Sequence, residues 1–94
     1  MTEKTVVVLD GAAVTDVDGL HRYLAEQMAL PHYYGANLDA LYDVLTEIAA
    51  ETEIALKNSG LFTERLGRYG RQFLRVLRDA AEDNGYLTLR SDSE

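Results

Sequence analysis

With 94 residues, 47% of them hydrophobic, the chain holds material for a single core and has no room for a second domain. It contains no cysteine, which excludes a disulfide framework and any thiolate metal site, so packing alone must hold the fold. A formal charge of -7 and a pI near 4.7 are far from the basic profile of a nucleic-acid binder.

Met1-Thr-Glu-Lys4 runs directly into Thr5-Val-Val-Val-Leu9. No basic leader precedes a long apolar run, and no stretch approaches the roughly 18 apolar residues of a membrane helix, so a cytoplasmic protein is expected. Thr5–Leu9, β-branched and closed by Asp10-Gly11, predicts a buried strand from the middle of a parallel sheet. Thr15-x-x-Asp18 reads as a capping box, and Leu20, Tyr23, Leu24, Gln27 and Met28 follow as one apolar helical stripe that ends before Pro31. Asn37 is the expected N-cap of a second helix whose core stripe is Leu38, Leu41, Leu45, Ile48 and Ala49. Glu53–Lys57 alternates as a second strand, and Tyr86–Arg90 as a third after the helix stop Asn84-Gly85. Between them, Leu61–Leu66 predicts a short helix, Gly67 and Gly70 read as turn residues, and Phe73, Val76, Leu77, Ala80 and Ala81 mark a longer helix up to Asp83. Ser91-Asp-Ser-Glu94 reads as a disordered tail. Strands separated by helices pair in parallel, so the expected fold is α/β, a three-stranded parallel sheet with about four helices in one domain over residues 1–94.

The charge is uneven. From Tyr23 to Leu56 there are six acids (Glu26, Asp39, Asp43, Glu47, Glu51, Glu53) and no Lys or Arg, although the chain has 9 basic residues. On the second helix Asp39, Asp43 and Glu47 follow at i, i+4 and i+8, away from the core stripe. Like charges so spaced cost on the order of 0.2–0.5 kcal/mol per pair. A solvated helix face would look the same, but a concentrated anionic surface also steers cationic partners and repels nucleic acid and anionic membrane. Pro31-His32-Tyr33-Tyr34-Gly35 precedes the helix as a turn, with one Tyr expected to face the core and the other the surface, where it would serve as an interface anchor.

The run Leu30-Pro-His-Tyr-Tyr-Gly-Ala-Asn-Leu-Asp-Ala-Leu-Tyr-Asp-Val-Leu-Thr46 resembles the signature of the barstar family, small inhibitors of secreted bacterial ribonucleases. The resemblance extends to the first strand, to Asp18-Gly-Leu-His21 and to Gln72–Ala80. It implies the same fold and an inhibitory surface made of Tyr33, Asn37, Leu38, Asp39, Ala40, Tyr42, Asp43, Thr46 and Glu47, with Asp79 from the last helix. It also implies that Asp43 enters a nuclease active site in place of the substrate phosphate. The partner would be a small ribonuclease with a basic cleft, bound 1:1 by an inhibitor that is monomeric when free, with no cofactor, metal, nucleic acid or membrane involved. Tyr42 and Ile48 stand where the best-known member has Trp, Glu47 replaces a small residue, and Asp79 is one methylene shorter than the usual Glu. These departures lie around the centre and would alter partner choice.

Other readings compete. Asp39 and Asp43 with His21 or His32 could be an acid–base or metal set, but two carboxylates one turn apart lack a third ligand or nucleophile, so no enzyme is expected. His21 reads as a packing or surface histidine. Gly35, Gly67 and Gly70 lack the strand, Gly-rich loop and helix context of a phosphate cradle. Arg65, Arg68, Arg71, Arg75 and Arg78 alternate with acids and read as a solvated face. A module that binds a different basic protein, such as another nuclease toxin or a regulator, is the alternative to ribonuclease inhibition.

Overall fold

A computed structural model describes residues 4–32 and 34–91. The elements in order are β1 (Thr5–Asp10), a 3-10 turn (Gly11–Ala13), α1 (Val17–Met28), α2 (Leu38–Thr46), β2 (Thr52–Lys57), α3 (Gly60–Leu66), α4 (Arg68–Asp83) and β3 (Leu87–Ser91). The three strands form one parallel sheet in the order β1-β2-β3, with Val7 opposite Ile54 and Ile54 opposite Leu89. The expected α/β architecture is therefore present. Ser91, read with the tail, is the last residue of β3.

Two strand assignments are corrected. β1 lies at an edge, with Val6 50% and Val8 42% exposed, and β2 is the middle strand, buried at Thr52, Glu53, Ile54 and Leu56 instead of alternating. Strand order explains both. Parallel crossovers are nearly always right-handed, and two that step the same way across a sheet lay their helices on one face. The other face keeps Val6 and Val8 in contact with solvent. The covered face carries the core, in which Leu9, Leu20, Leu24, Leu41, Leu45, Ile54, Phe73 and Leu77 are fully buried.

Glu53 is the buried exception to the acidic block. Its carboxylate accepts from Lys4 at 2.9 Å and Arg90 at 2.5 Å, tying the three strands together on the open face. These bonds, Lys4 first, hold its pKa below the ordinary 4.5. A depressed carboxylate stabilises the fold above its unfolded value and loses that contribution as pH falls through the lower native value. The melting temperature is therefore expected to drop below pH 4.5, with a shallower drop in Glu53→Gln. Parallel pH profiles for the two proteins would refute this role.

The helices are set by local chemistry. α1 is capped by Asp16, whose side chain accepts from the Gly19 amide at 2.6 Å; Thr15 is one residue too early to do so. Gln27, placed in the α1 stripe, is exposed. Gly67 lies between α3 and α4 with φ +63°, a left-handed conformation that glycine adopts without strain. Gly70 is no turn residue: it sits inside α4, where a Cβ would fall 2.0 Å from the Phe62 carbonyl oxygen of α3. Phe62 and Phe73 also meet between these helices, ring centroids 5.0 Å apart and planes tilted by 56°. Arg65 is likewise not part of a solvated row, since it donates to the carbonyls of Ala12 at 3.0 Å and Val14 at 3.1 Å.

Candidate functional site

Helix α2 is fixed at both ends. At its start Asn37 accepts from the Ala40 amide at 2.8 Å, the cap expected from the sequence. The preceding turn closes through a bond from Tyr34 N–H to Pro31 carbonyl, and the left-handed residue in it is Ala36 (φ 55°), not Gly35. At its end the helix stops at Thr46, three residues before the apolar stripe runs out at Ala49. Ile48 still packs against the core, but Ala49 is exposed. The stop is supplied from α4: buried Asn84 donates to the carbonyls of both Leu45 and Ile48 at 2.9 Å, and its oxygen accepts from Tyr86 N–H at 3.0 Å. These bonds satisfy carbonyls that a helix C-terminus leaves without partners.

Leu41 and Leu45 turn inward at 0% exposure, which leaves Asp39, Asp43 and Glu47 exposed on the outer side. Asp39 lies in the first turn, where the helix dipole favours a carboxylate. Glu47 is at the C-cap, where the dipole opposes one. Leu38 and Ala40 are half-buried, and the Thr46 hydroxyl donates back to Tyr42 carbonyl at 2.9 Å, an intrahelical bond common for a helical threonine. Tyr33, assigned to the contact surface, lies outside the described residues.

The second half of the site comes from α4, which packs against α2. Tyr42 donates its hydroxyl hydrogen bond to Asp83 across this contact. That bond, followed by desolvation and then by the fields of Asp83, Asp79 and Asp43, raises the pKa of Tyr42 above its ordinary value. Four groups are thus gathered in one place: Tyr42 half-buried, with Asp43, Asp79 and Asp83 exposed around it. Asp83 was missed in the sequence, although it falls one helical turn after Asp79. Two of the six acids of the 23–56 block lie elsewhere, since Glu53 is an internal ion-pair partner and Glu26 belongs to α1.

The loop before α2 is anchored by buried His21 and two half-buried tyrosines. His21 of α1 sits with Nδ1 2.6 Å from the Tyr34 hydroxyl and Nε2 2.6 Å from the Tyr69 hydroxyl. A neutral imidazole has one donor and one acceptor, so one tyrosine accepts from the ring and the other donates to it. Burial lowers the His21 pKa against the opposing pull of Asp18, and pushes the Tyr34 hydroxyl up to about 12. A histidine kept neutral in the fold stabilises it fully above the unfolded value near 6.5, and this contribution is lost as pH falls toward the lowered native pKa. Melting temperature is accordingly expected to fall by a few degrees from pH 7.5 to 5.5, and this slope should disappear in His21→Gln. A slope that persists in the variant would contradict the assignment.

Among the described residues, no group of three or more His, Cys, Asp or Glu could hold a metal ion, and no helix is long and apolar enough to cross a membrane. The acids stand on the outside of a helix, not in the enclosed apolar cleft usual for a substrate. The family profile of Barstar (barnase inhibitor) matches residues 4–90. The chain belongs to the barstar family. A Bacillus subtilis (strain 168) protein named "Putative ribonuclease inhibitor YrdF" is 35% identical over 78 residues, covering 82% of this chain and 86% of that protein. The family is one of inhibitors, not enzymes.

Proposed function

We infer that this barstar-family chain is a ribonuclease inhibitor that places the outer face of α2 in the cationic cleft of a small ribonuclease. The observation that carries this reading is the cluster of exposed carboxylates around Tyr42, on a helix capped by Asn37 and Asn84. A pocket that holds a phosphodiester must be cationic, and a carboxylate on a rigid support can replace the phosphate through charge-assisted bonds to arginine. Asp43, mid-helix and exposed, is the group assigned to that position. Asp39, Glu47 and Asp79 would meet basic residues at the rim, with Tyr33, Asn37, Leu38, Ala40, Tyr42 and Thr46 filling the contact surface. The complex is 1:1, forms from a monomeric inhibitor and acts in the cytoplasm. It needs no cofactor.

A panel of small secreted microbial ribonucleases, titrated with this protein while RNA cleavage is followed, tests the reading. Inhibition of at least one enzyme is expected, with an end point at one equivalent and faster association at low salt. Failure to inhibit any of them would move the target to a different basic protein.

A further inference from the structure

The same chain carries a second charged surface of opposite sign. Arg68, Arg71, Arg75 and Arg78 recur along α4 at i, i+3, i+7 and i+10, all exposed, and line an open groove of ≈ 640 Å³ together with Gln72 and Asp79. Of the 9 basic residues, Lys4 and Arg90 are committed to Glu53 and Arg65 to backbone carbonyls, so four of the remaining six lie in this one stripe. None of the four forms an ion pair with Glu64, Asp79, Glu82 or Asp83; among the described residues the ion pairs are those of Glu53. Cations at these spacings repel one another, so the stripe is mildly unfavourable for the helix itself.

We propose that the arginine stripe of α4 is an extension of the inhibitory interface that binds an acidic rim beside the cationic cleft of the same ribonuclease. This rests on the function proposed above. Continuity supports it: Asp79 belongs to the carboxylate cluster around Tyr42 and also lines the groove, so a partner seated on α2 reaches the arginines without a gap. Size supports it too. A standard interface takes roughly 20–30 residues a side, about twice what α2, its preceding loop and Asp79 supply, and the stripe is the adjoining surface. The carboxylate class is favoured over single-stranded nucleic acid because no aromatic ring lines the groove for base stacking and the chain carries a net -7. Arginine forks pair with carboxylates in bidentate geometry, which would fix the orientation of the bound enzyme.

Charge reversal gives the test a definite sign. Arg75→Glu takes the formal charge from -7 to -9, since one positive charge is lost and one negative gained. If the stripe were only solvated, added negative charge would speed association with a cationic nuclease and leave dissociation unchanged. The proposal predicts the reverse for affinity: Arg75→Glu and Arg71→Glu each weaken binding at least tenfold by faster dissociation, measured by surface plasmon resonance against a ribonuclease that the wild type inhibits. Circular dichroism confirms that the variants fold. Unchanged or tighter binding overturns the proposal while leaving inhibition through α2 intact, whereas inhibition undiminished in Asp43→Ala overturns the underlying reading. Binding of a fluorescent single-stranded RNA to the free protein, abolished by Arg75→Glu, would reassign the groove to nucleic acid and also overturn it.

Discussion

Asp43→Ala is expected to weaken inhibition of a susceptible ribonuclease by about a hundredfold or more, as for a residue at the centre of a desolvated interface. The effect should appear in dissociation, because truncating one partner of a buried charged pair leaves the arginine of the other side unpaired. The fold should be unaffected: Asp43 is exposed, is neither cap nor core, and helix propensity favours alanine. Asp39→Ala, at the rim, should change mainly the association rate and its salt dependence. Equal inhibition by wild type and Asp43→Ala would remove the residue from the interface.

Gly70→Ala should be the most damaging of the small substitutions for stability. Alanine gains about 1 kcal/mol of helix propensity over glycine. Against this, its Cβ would lie 2.0 Å from the oxygen and 2.6 Å from the carbon of the Phe62 carbonyl, both backbone atoms that cannot rotate away. Overpacking of this kind costs about 3 kcal/mol. The net loss of about 2 kcal/mol should lower the melting temperature by about 10 °C. A rise of a few degrees would mean that α3 and α4 separate easily and that propensity decides.

Residues that work through local chemistry were legible in the sequence. Asn37 caps α2 as its position before Leu38 implied, and Leu41 and Leu45 face the core at the expected spacing. What the sequence left open depends on neighbours distant along the chain. The apolar run Thr5–Leu9 has the same composition whether it lies in the middle of a sheet or at its edge; only the strand order, with both crossovers on one side, exposes Val6 and Val8. α2 ends three residues before its apolar stripe does because the side chain that terminates it, Asn84, is 38 residues from Thr46. Gly70 reads as a turn until α3 is seen against it. Asp83 joins the site in the same way, since only the packing of α4 on α2 brings it to Tyr42.

If α2 occupies the phosphate site of a ribonuclease, a nucleotide and this protein exclude each other there. The most direct test is competition: the affinity of this protein for a ribonuclease it inhibits, measured by calorimetry with increasing amounts of a nucleotide bound in the enzyme's active site. Mutually exclusive binding requires that the apparent dissociation constant rise linearly with free nucleotide, doubling at the concentration that half-saturates the enzyme. An affinity indifferent to the nucleotide would contradict it, because the helix would then be docking away from the phosphate site.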